Sequence, residues 1–211
     1  MSSLFSGLLP FLAMGAAHSE PSTYTLNTAD STLYVKVYKD AEGMGAALAH
    51  NHAVAATGWT GTATWDPEDL SACKLSISLP VSGLDADPSS LRKIAGKGFE
   101  SEIGDGMRGD IKKNMLSEEQ LWESKHKTIT FESTGCSPKG EFAKLSGKFT
   151  LRGVTKTISL PVSVKAGETF TIKGNFNINA TDFGFQPYSA MFGQIANENQ
   201  MNVSLNLSGS K

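Results

Sequence analysis

Apolar side chains recur at every second position through most of this chain, and that period confines it to extended, half-buried strands. Leu33, Val35 and Val37 alternate with Tyr34, Lys36 and Tyr38, and Trp59, Gly61, Ala63 and Trp65 alternate with threonines and Gly58. The same rule holds for Leu75, Ile77 and Leu79, for Ile129 and Phe131, and for Leu145, Phe149 and Leu151. It continues through Ile158, Leu160, Val162 and Val164, through Phe170, Ile172, Phe176 and Ile178, and through Met201, Val203, Leu205 and Leu207. About eight strands result, each with one apolar and one polar face. A parallel α/β sheet would show continuous apolar runs instead. Antiparallel strands of this kind hide their apolar faces in a sandwich or in a closed barrel. A barrel of about eight strands also has room for one small apolar ligand.

Helical signals are confined to the middle of the chain. Asp87 followed by Pro88 reads as a helix N-cap with proline at the first helical position. Ser117 to Gln120 has the spacing of a capping box. Gly96 to Gly109 is glycine-rich and predicts an irregular loop. The stretch from Asp87 to His126 is therefore an insertion of short helices between the fifth and sixth strands. Cys73 and Cys136 lie near the ends of two strands that would pair. By strict alternation their thiols point to opposite faces, so a disulfide requires a bulge near Gly135 to shift the register.

Leu4 to Ala17 is an uncharged apolar run, too short to span a bilayer as a helix. It ends in Ala17-His18-Ser19, a small-x-small cleavage pattern, so residues 1–19 read as a secretory signal peptide and residues 20–211 as one exported domain. Nineteen basic against twenty-one acidic residues give a formal charge of −2. Without a basic excess or stripe, nucleic acid is not an expected partner. No later stretch is apolar enough for a membrane helix, so stable membrane insertion is not expected either.

The run Leu145-Ser-Gly-Lys-Phe-Thr-Leu-Arg-Gly-Val-Thr-Lys-Thr-Ile-Ser-Leu160 resembles the signature hairpin of the YceI-like family. Phe176 to Gly184 resembles the family's strand ending in a D-F segment, and Lys127 to Ser133 a third family strand. Order and spacing hold from about Tyr24 to Gly209. The resemblance implies a periplasmic protein: all-β, a single antiparallel eight-stranded lipocalin-like barrel with a short helical insertion between strands five and six. It also implies a long apolar ligand in the lumen, an isoprenoid quinone or related lipid, and it extends to homodimerisation. The family has no established catalytic residues, so none are carried over. No G-x-S-x-G elbow, H-E-x-x-H, P-loop or dinucleotide fingerprint is present, and an enzyme is not expected.

The expected function is an exported binding protein that holds an isoprenoid quinone, polyprenyl or fatty-acyl lipid for sequestration or transport. The apolar parity sets supply the expected lining: Trp59, Trp65, Leu75, Ile77, Leu79, Ile129, Phe131, Phe149, Leu151, Ile158, Leu160, Phe176 and Ile178. Phe183, Phe185 and Tyr188 would close the mouth. Each also fits an ordinary core position, because a packed core and a ligand-lined lumen look the same in sequence. One segment departs from the lipid-binding pattern. His50 and His52 point to the same side of an extended chain, as ligand-headgroup contacts, as hydrogen-bonded strand residues, or as two ligands of a metal or neighbours of a haem. His126, Glu123, Asp182 and Met44 are candidate additional ligands, none fixed by spacing. The competing function is accordingly a metal- or haem-associated periplasmic redox accessory protein using His50 and His52.

Overall fold

The computed structural model describes residues 20–66, 68–139 and 142–211. The expected signal peptide lies outside the described residues. Among the described residues eleven strands form, in chain order: β1 (Ser22–Lys39), β2 (His52–Ala56), β3 (Thr60–Trp65), β4 (Lys74–Pro80), β5 (Leu84–Ala86), β6 (Thr128–Lys139), β7 (Phe142–Leu151), β8 (Val154–Ala166), β9 (Thr169–Asn179), β10 (Ser189–Ala190) and β11 (Ile195–Ser210). Eight of them close a ring, β1-β3-β4-β6-β7-β8-β9-β11, sealed by antiparallel pairing of β11 with β1. This is the all-β, eight-stranded antiparallel barrel that the resemblance implies, one of the two arrangements, sandwich or barrel, that the alternation allows. β2, β5 and β10 are short additions beside that ring. The first residues of β1 pair with β3, whereas Tyr34–Val37 pair with β2, which in turn carries β5.

Two positions of the family-like hairpin have visible causes. Leu151 pairs with Val154 across a two-residue turn in which Arg152 and Gly153 adopt φ values of 52° and 74°. Positive φ at both central residues matches the twist of a tight hairpin, and glycine takes it without strain. A Cβ at Gly147 would stand 2.4 Å from the Phe131 ring. Only a residue without a side chain lets that ring lie across β7.

The register shift needed for a disulfide is present. β6 carries one extra residue between Ser133 and Gly135 relative to β7. Cys136 thereby joins the inner face opposite Leu145, and it is bonded to Cys73 with a Cα–Cα distance of 5.9 Å. Ser133 Oγ accepts the Leu75 backbone N–H at 2.7 Å beside the bulge.

One end of the barrel is filled. Tyr24 stacks on Phe170 with centroids 5.0 Å apart, and Ala143, Val162, Ile172 and Leu207 are buried in the same cluster as Cys73. β8 and β9 pair only between Val162 and Ala166, so their other halves diverge from one another.

Two helices follow β5: α1 (Ser89–Ala95) and α2 (Asp105–Leu116). Three local expectations change here. Asp87 does not cap α1. It has φ 53°, is fully buried, and its carboxylate turns to β2. The run Gly104–Gly109, expected as a loop, enters α2. Arg108 pins that helix by donating to the Ala86 carbonyl at 2.9 Å and pairing with Asp85 at 3.3 Å. Met107, Ile111 and Met115 repeat at helical spacing toward the barrel interior. Tertiary contacts thus outweigh the glycine penalty of about 1 kcal/mol per residue. Ser117 ends α2 and does not start a helix: its N–H bonds the Asn114 carbonyl.

Candidate functional site

Between the filled end and the helices lies a cavity of about 480 Å³. Its wall is the inner parity of the barrel strands. Leu75, Ile77 and Leu79 come from β4, Ile129 and Phe131 from β6, Phe149 and Leu151 from β7, Leu160 from β8, and Phe176 and Ile178 from β9. β1 adds Leu33, Val35 and Val37, and β11 adds Met201, Val203 and Leu205. An apolar cavity of about 150 Å³ accommodates a benzene ring. By that scale this one has room for on the order of twenty carbon atoms. Phe149 stands edge-on to Phe176 at 5.9 Å, and two aromatic faces thus border the cavity together.

Four expected lining residues lie elsewhere. Trp59 precedes β3 and is buried in the main core cluster, and Trp65, at the end of β3, packs half-buried against that cluster. Phe183 is buried in the turn after β9, behind Phe149 at 5.5 Å. Ile158 stands where β8 has parted from β9, beside an outer groove with Asn175 and Asn177. Alternation reports which face a side chain occupies, and these four differ in height along the barrel, which alternation does not encode. Phe185 and Tyr188 do line the cavity.

The mouth is polar and lies among three segments. His50 and His52 come from the start of β2 and the loop before it. Asp110 and Asn114 come from α2. Tyr188, Asn197 and Glu198 come from the segment around β10 and the start of β11. The lining includes two carboxylates and no lysine or arginine among the described residues.

His52 is held by a buried network. Its Nδ1 lies 2.7 Å from Asp87 Oδ2. Asp87 Oδ1 accepts from the Ala53 N–H at 2.9 Å and from Arg92 at 2.6 Å. Arg92 also donates to the carbonyls of Asn51 and Ser101, each at 2.8 Å, and to Ser101 Oγ at 3.0 Å. Asn51 accepts the Lys39 N–H and donates to the Gly98 carbonyl, so β1, β2 and α1 are tied at one point. Burial pushes the Asp87 carboxyl up, but the hydrogen bonds from His52 and Ala53, the charge of His52 and the bond from Arg92 outweigh it. The carboxyl is held below its ordinary value and stays ionised. An ionised carboxylate only accepts hydrogen bonds, so Nδ1 is the donor to it, and Nε2, which has no protein partner among the described residues, is an acceptor whenever the ring is uncharged. Asp87 and Arg92 were not legible as site residues. Their partners lie on a different element, and an Asp-Pro pair before a helix reads as a cap.

Two imidazoles supply half of a four-coordinate shell, and no group of three metal-ligating side chains occurs among the described residues.

Relatives place this geometry. The model of the YceI-like domain matches residues 24–207. The chain belongs to the YceI-like family. It is 26% identical over 137 residues to a UPF0312 protein of Pseudomonas aeruginosa, covering 60% of this chain. The chain spans 59% of the length of that curated relative. Among solved structures, Burkholderia cenocepacia BcnA superposes with a TM-score of 0.62 at 16% identity, over 87% of this chain and 98% of that one. A polyisoprenoid-binding domain from Saccharophagus degradans, implicated in plant cell wall breakdown, superposes with a TM-score of 0.54 at 9% identity, over 89% and 97%. At these identities the superpositions establish the YceI-like barrel.

Proposed function

We propose that this YceI-like chain is an exported carrier that holds a long apolar molecule, an isoprenoid quinone, polyprenyl or fatty-acyl lipid, in its barrel. It sequesters or transports that molecule through the periplasm by binding and without catalysis. The carrying observation is the 480 Å³ hollow walled by the inner faces of the barrel strands, with polar groups gathered at one end. Each methylene moved from water into such a hollow contributes about 0.8 kcal/mol. Binding strength is therefore set by chain length until the hollow is full. The polyisoprenoid-binding relative of the same fold supports an isoprenoid occupant.

Titration of delipidated protein with isoprenoids of increasing length tests this. Affinity should rise steeply to about twenty carbons and then level off. A flat dependence on length contradicts carriage in the hollow.

A redox accessory role for His50 and His52 is the second reading. Asp87 orients His52 as carboxylates orient metal-bound imidazoles. A Soret band or stoichiometric metal in the purified protein would favour it over carriage.

A further inference from the structure

We propose that the cavity selects an uncharged, hydroxyl-bearing headgroup, an isoprenoid alcohol or hydroquinone, whose O–H donates to Nε2 of His52. The inference rests on the carriage reading and names the class of molecule carried. Two observations carry it, one for charge and one for hydrogen bonding.

The first is the sign of the mouth. Asp110 and Glu198 line the cavity, and no cationic lysine or arginine does so among the described residues. Three cations on the neighbouring elements are engaged elsewhere. Arg92 is bound to Asp87, Ser101 and Asn51, and Arg108 to Asp85, Asp105 and the Ala86 carbonyl. Lys39 Nζ donates to the Ala46 carbonyl at 2.6 Å. Phosphate and carboxylate recognition most often uses lysine or arginine donors. A prenyl phosphate or fatty acid would bring its charge toward two carboxylates with no such partner.

The second is the fixed imidazole. Asp87 has no solvent exposure, and it is held by Ala53 and Arg92 on the side away from His52. The ring is thus clamped from behind with a proton on Nδ1. In the uncharged ring the nitrogen left over is a hydrogen-bond acceptor, so it rewards an O–H donor and offers nothing to a methyl ether or hydrocarbon. Asp87 and Arg92 are positioning residues; His52 is the residue that touches the ligand.

The test uses the delipidated full chain at a mildly alkaline pH and four ligands of equal chain length: geranylgeraniol, its methyl ether, geranylgeranyl phosphate and the hydrocarbon phytane. Isothermal titration should show the alcohol several-fold to about tenfold tighter than the ether, the span of one net hydrogen bond. The phosphate should be weaker than the alcohol. In His52→Phe the gap between alcohol and ether should close while phytane still binds. Equal binding of alcohol and ether in the unaltered protein overturns the proposal and leaves carriage standing. So does an unchanged gap in His52→Phe, or a phosphate as tight as the alcohol. No binding by any of the four, phytane included, overturns carriage as well. Should His52→Phe fail to fold, imidazole nitrogen-15 shifts of the unaltered protein decide. Nε2 should be unprotonated, and its resonance should move with the alcohol and not with the ether. A proton on Nε2, or no movement with the alcohol, refutes the assignment.

Discussion

Replacing Ile129 with tryptophan separates a hollow barrel from a filled one. Ile129 projects from β6 into the cavity, paired with Leu79 across the sheet. The substitution adds six non-hydrogen atoms to the wall of a space with room for on the order of twenty. A ligand that fills the space loses burial for about six carbons, at about 0.8 kcal/mol each, or at most about 5 kcal/mol. Each 1.4 kcal/mol is a factor of ten, and the ligand can leave its far end in the mouth. The expected loss for a twenty-carbon isoprenoid is therefore between tenfold and about a thousandfold. A ten-carbon isoprenoid has space to spare and should bind as before. Stability gives an independent reading: forcing extra atoms into a packed core costs about 1–3 kcal/mol, whereas a void accepts them for less than about 1 kcal/mol. Isothermal titration with both ligands and urea unfolding of the ligand-free protein supply the numbers. A variant destabilised by several kcal/mol whose affinity for both ligands is unchanged would refute the reasoning.

Two further outcomes follow from the same structure. The Cys73–Cys136 bond closes a loop with a sequence separation of 63, so Cys73→Ala with Cys136→Ala should cost about 4 kcal/mol in urea unfolding by loop entropy. Ligand affinity should hold, because neither cysteine lines the cavity; a stability unchanged by the double substitution would show that the bond constrains nothing. Asp87 has a folded-state value lowered from 3.8, so its contribution is complete above that value and is lost as pH falls through the lowered one. The urea midpoint should fall as pH drops from about 5 to about 3, and Asp87→Asn should flatten that slope while lowering the midpoint at neutral pH. Parallel slopes in the two proteins would contradict this linkage.

Strands and their inner faces were legible because burial on one side of a sheet imposes a period of two. The hairpin around Gly153 was legible through its resemblance to the family signature, and the positive φ at Arg152 and Gly153 is the physical reason that run recurs. The height of each residue along the barrel was not. Leu75 and Trp65 obey the same alternation, yet Leu75 borders the cavity and Trp65 packs outside it. The disulfide depended on a single extra residue in β6, which alternation could frame only as a condition. α2 was hidden by Gly106 and Gly109, since what holds it is Arg108 reaching β5 and an apolar face turned to the barrel. His50 and His52 were visible as a pair, but the carboxylate that orients one of them lies 35 residues away in sequence. Such contacts are made by the closed fold and leave no local pattern.

The most direct measurement is organic extraction and mass spectrometry of protein purified from its native host without detergent. The account predicts one long-chain apolar molecule per barrel, with an uncharged hydroxylated headgroup. Protein that yields no lipid, quinone or hydrocarbon would contradict it.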